Sequence, residues 1–552
     1  MSEWWRGAVI YQIYPRSFQD SNGDGIGDLP GVIDRLDHIA RLGVDAIWLS
    51  PFFTSPMADM GYDVSDHKNV DPCFGQLEDV DALIERAHAL GLKVIIDQVI
   101  SHTSDQHPWF QESRVSNVNA RADWYVWADP KPDGTPPNNW ISVFGGPAWT
   151  WNATRRQFYL HNFLASQPDL NFHNPDVQDA MLDVMRFWLE RGVDGFRFDT
   201  VNYYFHDQEL RSNPPEPRPH GVRPSVNPYE MQDHFFSKSR PENIAFLRRI
   251  RTVMDTFGAT TTVGEIGEGR RAVQVMADYT AGNDKLHMAY SFDMLGPEFT
   301  AAHFRSRVEN FFAGGGGWPC WSFSNHDVNR HASRWTKYAI DHEALVRQTA
   351  VLLLTLKGSV GLYQGEELGL PEADLLFEEL TDPPGISFWP EYKGRDGCRT
   401  PMPWDEGAAP NGFTSGVPWL PVKPSHSTRA VAIQERNEAS SLKFYRQALA
   451  FRRAHSELKT GDIVFHDIDE PILAFTRTLK TQAMLCVFNL SPQPHNILIQ
   501  GLGAHARLGE ISDAAQLENS VLKLAANGMA LIKTNAKTHI LSLKLDRAMA
   551  PI

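Results

Sequence analysis

The sequence predicts an α/β protein, a parallel (β/α)8 barrel with a small domain inserted after strand three and a C-terminal all-β domain. Three observations predict it. Eight strand-like runs alternate with helix-like runs from the start of the chain. The interval between the third and fourth strands is far too long for a single helix. Beyond about Glu457, short alternating strands take over.

The expected strands are Ala8 to Tyr14, Ala46 to Ser50, Lys93 to Val99, Gly195 to Asp199, Thr260 to Glu265, Met288 to Phe292, Trp321 to Asn325 and Ser359 to Gln364. Helical periodicity lies between most of them, as in Leu29 to Leu42, Leu77 to Leu90, Met181 to Glu190 and Glu242 to Phe257. The stretch Ser101 to Phe172, rich in Trp, Pro, Asn and Gly, reads as the inserted domain. A proline-rich excursion from about Gly369 to Ala439 follows strand eight, and a helix from Ser440 to Arg453 closes the series. The expected organisation is therefore a TIM barrel in two parts, 1–100 and 173–456, an inserted domain at 101–172 and a β domain at 457–552. Such a barrel gathers its active site from the C-terminal ends of its strands.

Composition narrows the function. With 552 residues, 42% hydrophobic and 22% charged, the chain is a multi-domain globular protein. A formal net charge of −15 without basic blocks argues against nucleic acid or anionic membrane as partner. No apolar run approaches the roughly 18 residues that span a bilayer. The N-terminal residues carry no signal-peptide pattern, so a cytoplasmic location is expected. Cys73, Cys320, Cys398 and Cys486 are widely spaced, which suits free thiols better than a zinc site. The 16 tryptophans supply core, and some are candidates for apolar floors under sugar faces.

The chemistry centres on Gly192 to Thr200, G-V-D-G-F-R-F-D-T. Asp199 ends a strand, and Arg197 lies two residues back on the same face. That is a poor core and a good nucleophile, its carboxylate held ionised by the guanidinium. Glu265 ends another apolar strand, where burial and a like charge would raise its pKa and keep it a proton donor. Asp327, after His326, suits bidentate binding of sugar hydroxyls. Retaining glycoside hydrolysis needs such a nucleophile and acid/base about 5–5.5 Å apart. Asp97 and His102 add polar groups at the end of strand three. Each acid alone reads as a cap or surface charge; three on the ends of strands four, five and seven read as a site.

These blocks resemble the α-amylase family of glycoside hydrolases, in particular its oligo-1,6-glucosidase and α-glucosidase branch. The resemblance runs from Trp4 to about Trp404 and rests on Asp97 to His102, Gly195 to Asp199, Val263 to Glu265 and Asn325 to Asp327. Gln167-Pro168-Asp169-Leu170-Asn171 and Arg399-Thr400-Pro401-Met402-Pro403-Trp404 are similar to marker segments of that branch. It implies Asp199 as nucleophile, Glu265 as general acid/base and Asp327 as transition-state stabiliser. It also implies Arg197, His102 and His326 as sugar ligands and Tyr62 as the ring beneath the sugar. Asp59 with Arg399 would grip the non-reducing end and make the enzyme exo-acting. From the residues alone Asp63 is an alternative to Asp59; the family pattern favours Asp59. Phe144 and Phe163 are candidate apolar walls, with core packing the competing explanation.

Two departures refine the expectation. Ser101 replaces an asparagine that binds calcium in many amylases, so that calcium site is not expected. Asn202 and Tyr203 replace a lysine–histidine pair that holds polymeric substrate, which suits small substrates. Thr200, directly after the nucleophile, is associated in this branch with α-1,4 rather than α-1,6 linkages. Separately, Asp20-Ser21-Asn22-Gly23-Asp24-Gly25-Ile26-Gly27-Asp28 places oxygen side chains at alternate positions, like the start of a calcium loop. An ordinary Asn-Gly-Asp-Gly turn is the competing explanation. The resemblance implies a structural Ca²⁺ or Mg²⁺ held by Asp20, Asn22, Asp24, Asp28 and the carbonyl of Ile26, with no cofactor for catalysis. The expected activity is a retaining exo-α-glucosidase on short α-glucosides, with transglucosylation open to it. Isomaltase, sucrose- or trehalose-cleaving or isomerising enzymes, and a non-catalytic partner of a transporter, are the rivals. The sequence leaves the oligomeric state open.

Overall fold

Strand–helix alternation closes into a barrel in the structure, a computed structural model that describes residues 3–218, 221–407, 410–503, 505–536 and 540–545. The barrel strands are β1 (Val9–Ile13), β2 (Ala46–Leu49), β3 (Lys93–Gln98), β4 (Gly195–Phe198), β5 (Thr261–Ile266), β6 (Met288–Ser291), β7 (Cys320–Ser322) and β8 (Ser359–Tyr363). They pair in parallel in the order 6-5-4-3-2-1-8-7. A parallel bridge between Ala289 and Pro319 joins the two ends. Around them lie α1 (Leu29–Leu42), α2 (Leu77–Ala89), α3 (Pro175–Glu190), α4 (Asn243–Thr256), α5 (Ala272–Thr280), α6 (Ala301–Ala313), α7 (His342–Thr355) and α8 (Ser441–Ala454).

Local chemistry sets the helix ends. Asp28 caps α1 by accepting the Gly31 amide at 2.7 Å, and Gly43, at φ 89°, ends it in the left-handed region. Helix α3 starts six residues ahead of its expected Met181, because Asn174 caps it and Pro175 opens it. Strand β7 is shorter than expected: it stops at Ser322, so Asn325 to Asp327 lie in the turn beyond it.

Period-2 alternation divides each strand between two environments. Phe196 and Phe198 of β4, and Ile47 and Leu49 of β2, point outward into the core shared with the helices. Burying each such side chain stabilises the fold by about 1.5–3 kcal/mol. Ile10, Ala46, Ile95, Val263, Met288 and Cys320 form a separate cluster inside the barrel. Two residues further along the same faces come Gln12, Trp48, Asp97, Glu265 and Tyr290. The lower barrel is thus plugged with apolar groups, and the polar groups stand above that plug.

Between β3 and α3 the chain forms a three-stranded antiparallel sheet, with Gln157–Leu160 between Trp127–Ala128 and Trp149–Asn152. It has its own small core around Trp140 and Trp149. After α8 an antiparallel sheet is built on Val521–Asn535, a strand longer than the expected Met529 to Lys533. Its inner face packs Ile472, Leu485, Val487, Leu522 and Ile532 together.

Candidate active site

Arg197 organises the top of the barrel. Its position in β4 is level with Asp97 in β3 and Val263 in β5, so it points inward. Nη1 lies 2.7 Å from Asp97 Oδ1 and 2.9 Å from Asp199 Oδ1, and Nη2 lies 2.7 Å from Glu265 Oε1. One fully buried guanidinium therefore serves three carboxyl groups, and Trp48 lies 4.9 Å away against its cationic face.

That sharing changes the charge balance. Burial raises Asp199 to about 7; Arg197 opposes the rise, while Asp97 and Asp327 add to it. Glu265 goes higher, to about 8, again through burial against Arg197, with the charges of Asp199 and Asp327 adding. Arg197 favours the ionised form of Asp199, as its place two residues back implies, while burial opposes it and the cation is split three ways. The order survives, and Glu265 keeps its proton in preference to Asp199. Thr200 helps to hold both. Its backbone is left-handed, at φ 41° and ψ 47°, a strained conformation for a β-branched residue. From there its amide donates to Glu265 Oε2 at 3.0 Å, and its hydroxyl lies 3.3 Å from Asp199 Oδ2 and 3.0 Å from Ser101 Oγ.

Asp327 faces this pair from the turn after β7. Burial works against its charge, but the guanidinia of Arg395 and Arg399 outweigh it and hold the carboxyl below the usual range. Both guanidinia lie 3.2 Å from Oδ1. His326 is stacked on Tyr62 with rings 6° from parallel and bonds Gln12 Nε2 at 2.7 Å through Nδ1. Tyr62 donates to Asp97 at 3.1 Å. His102 joins the Tyr62 carbonyl, at 3.0 Å, to Ser101, at 2.8 Å. Burial depresses both imidazoles, His102 to about 4, so both are neutral hydrogen-bonding groups at physiological pH.

The far end differs in one partner. Asp59 Oδ1 pairs with Arg395 Nη2 at 2.8 Å, not with Arg399. A short helical turn, Asp396–Cys398, separates the two arginines. Arg395 is fixed there by Asp382, which is fully buried and takes its Nε and Nη2 at 3.0 and 2.7 Å. Arg399 instead donates to the His326 carbonyl at 2.7 Å and braces Asp327. Asp63 is used up within its own turn, accepting the Ala58 and Asp59 amides and the Ser55 hydroxyl. Asp59 is thus the acid that faces the cavity.

A cavity of about 1010 Å³ brings the expected residues together. Asp59, Tyr62, His102, Phe144, Phe163, Asp199, Thr200, Glu265 and Asp327 line it, and Arg395 closes one side. Arg197, His326 and Arg399 stand behind that lining. Phe144 and Phe163 meet edge to face at 5.6 Å, with Arg395 over Phe144. At the other side, Lys238 Nζ binds the Tyr229 hydroxyl at 2.8 Å and the Gly267 carbonyl at 2.7 Å. The hydroxyls of Tyr203 and Tyr229 meet at 2.5 Å. Sequence reasoning missed Arg395, Asp382, Tyr290 and Lys238. Only Tyr290, two residues after inward-facing Met288, left a periodic signal.

The Asp20–Asp28 loop supplies only oxygen donors, the chemistry a hard divalent cation takes. Asp20 accepts the amides of Asn22, Gly23 and Gly25 at 2.8–2.9 Å, Asn22 accepts that of Asp24 at 2.9 Å, and Asp24 that of Ile26 at 2.8 Å. Asp28 divides its oxygens between the α1 cap and Ser21. Among the described residues no three His, Cys, Asp or Glu side chains converge as a metal cluster. The donor type fits such an ion, which would brace the β1–α1 loop through Asp20, Asn22, Asp24, Asp28 and the Ile26 carbonyl.

Known proteins resemble this chain in sequence and fold. The alpha amylase catalytic domain family matches residues 12–461. A probable alpha-glucosidase of Rhizobium meliloti is 59% identical, the match covering 89% of this chain and 90% of the relative. An oligo-1,6-glucosidase of Heyndrickxia coagulans is 37% identical over 89% of this chain and 93% of its own length. Among solved structures, the alpha-glucosyl transfer enzyme XgtA superposes with a TM-score of 0.93 at 52% identity, covering 97% of this chain and all of its own. The trehalulose synthase MutB of Pseudomonas mesoacidophila gives 0.84 at 31% identity, over 97% of this chain and all of MutB. The chain belongs to the alpha-amylase family of glycoside hydrolases.

Proposed function

We propose that the protein is a retaining, exo-acting α-glucosidase that removes glucose from the non-reducing end of short, maltose-like α-1,4-glucosides. The observation that carries this reading is one cavity with three acids at its floor and the Asp59–Arg395 ion pair at one end. In this reading that pair grips the terminal hydroxyls, so the substrate enters a closed pocket rather than lying across a groove. Asp199 attacks the anomeric carbon while Glu265 gives its proton to the departing glycosidic oxygen. Asp327, held ionised, stabilises the positive charge that develops on the sugar ring. Water then gives a proton to Glu265 and displaces Asp199, releasing α-glucose. A sugar hydroxyl in place of that water gives transglucosylation, a course supported by the likeness to an alpha-glucosyl transfer enzyme.

Thr200 and the names of the relatives support α-glucosides as substrates; the α-1,4 preference rests on Thr200. Four free cysteines, three of them buried, support a reducing, cytoplasmic setting. No described helix is long and apolar enough to cross a membrane. A structural Ca²⁺ or Mg²⁺ in the Asp20–Asp28 loop belongs to the same reading and takes no part in the chemistry. The experiment is turnover of maltose, isomaltose, sucrose and trehalose by the native enzyme and by Asp199→Asn. Cleavage of maltose above the others, abolished in the variant, is expected. Cleavage of sucrose or trehalose alone would overturn the substrate assignment.

A further inference from the structure

Glu265 has two oxygens in unlike surroundings, and Tyr290 makes them unlike. Tyr290 is level with Glu265 across the β5–β6 pair and points into the barrel on the same face. Its hydroxyl lies 3.2 Å from Arg197 Nε, 3.0 Å from Arg197 Nη2 and 3.2 Å from Glu265 Oε1. A guanidinium only donates, so the hydroxyl oxygen must accept both of those bonds. Its single proton is then free to go one way, to Glu265. Oε1 already receives Arg197 Nη2 at 2.7 Å. Two donors therefore converge on Oε1, whereas among the described residues Oε2 receives only the Thr200 amide, at 3.0 Å.

We propose that Tyr290 is a positioning residue that, with Arg197, fixes Oε1 of Glu265 as a pure acceptor and so places the transferable proton on Oε2. A proton on Oε1 would face two donors at hydrogen-bond distance, an arrangement the buried site penalises. The proposal rests on Glu265 being the acid/base of the proposed glucosidase. In the first step the O–H bond at Oε2 breaks as the leaving oxygen takes its proton and the C1–O bonding pair. In the second, Oε2 takes a proton from the attacking water. Tyr290 itself stays protonated: burial raises its hydroxyl well above the ordinary tyrosine value. The other ionisable groups facing Glu265 are Arg197 and Asp199 from β4, Asp97 from β3, Asp327 after β7 and Tyr203 after the nucleophile.

Removing a donor from the ionised form raises an acid's pKa. The test is the pH profile of kcat/KM for maltose and for 4-nitrophenyl α-glucoside in Tyr290→Phe. The expected result is an alkaline limb displaced upward by about half a unit to one unit. Maltose kcat should fall about ten-fold while the activated glucoside, which needs little protonation, is nearly unaffected. An enzyme with 3-fluorotyrosine at position 290, a stronger donor of unchanged shape, should shift the limb downward. An unmoved limb in both variants, or equal losses on both substrates, would overturn the proposal. Glu265→Gln separates the two levels: if it cleaved maltose normally, the assignment of Glu265 would fall, and Tyr290 with it.

Discussion

Arg197 Nη2 lies 2.7 Å from Glu265 Oε1, closer than Nη1 lies to Asp199 Oδ1, at 2.9 Å. The guanidinium therefore belongs to the acid/base as much as to the nucleophile. With Asp97 also drawing on it, burial lifts both Asp199 and Glu265, and Glu265 the higher. The proton is needed on Glu265. Above its value of about 8 the acid form disappears, so kcat/KM for maltose should fall as pH rises through that region. A pH–rate series checks this, and a flat profile up to pH of about 10 would contradict it.

Asp199→Asn should reduce turnover by on the order of 10⁴-fold or more, because no other carboxylate can form the glucosyl-enzyme. Folding should survive. One of three carboxylates competing for a single guanidinium becomes neutral, so the thermal midpoint should hold or rise. Calorimetry and initial rates on one preparation test both halves.

The Asp59–Arg395–Asp382 cluster makes a sharper stability prediction. Arg395→Ala would strand two buried carboxylates, Asp59 and Asp382, at a cost of about 3–5 kcal/mol. Arg395→Lys keeps a charge but loses the fork that reaches both acids, so its loss should be smaller and appear mainly in KM. Urea unfolding and Michaelis constants for maltose read the two effects. A weak effect at 395 beside a strong one at 399 would restore Arg399 as the main partner of Asp59.

Much of this site was legible because barrel chemistry follows strand periodicity. Asp199, Arg197 and Glu265 lie at the tips of strands whose alternation is plain, and Asp327 follows another by a few residues. What the sequence hid were partnerships between loops. Arg395 and Asp382 are thirteen positions apart in an irregular, proline-rich excursion with no period to read. Whether Asp59 meets Arg395 or Arg399 depends on how one short turn is oriented. The start of α3 was hidden differently: its first turn is mostly polar, and only Asn174-Pro175 marks it. The barrel's closing contact, Ala289 with Pro319, is a single bridge that leaves no pattern.

Asp169, in the Gln167–Asn171 segment, gives a stability test apart from catalysis. It is fully buried, Oδ1 has no hydrogen-bond partner among the described residues, and burial raises it to about 8. Its folded value exceeds its unfolded one, so its stabilising contribution is whole below about pH 4 and is lost as pH rises towards about 8. Asp169→Asn should therefore stabilise the protein by about 1–3 kcal/mol at pH of about 8 and change little in acid. Thermal midpoints across that range decide it.

For the Asp20–Asp28 loop, chelation should lower the thermal midpoint and leave kcat for maltose unchanged after brief exposure. Calcium at about a hundred times its Kd should restore roughly 2.7 kcal/mol. Asp24→Ala should erase the difference between chelated and calcium-loaded protein. Equal midpoints with and without the ion in the native protein would make the loop an ordinary turn.

Proton NMR of maltose hydrolysis shows whether Asp199 and Glu265 work by double displacement. The α- and β-anomeric signals of glucose released from the non-reducing end, followed before mutarotation, identify the stereochemical course. Double displacement gives α-glucose first, with β-glucose rising only as the anomers equilibrate. Initial β-glucose would mean direct attack by water, and the assignment of Asp199 as a covalent nucleophile would be wrong.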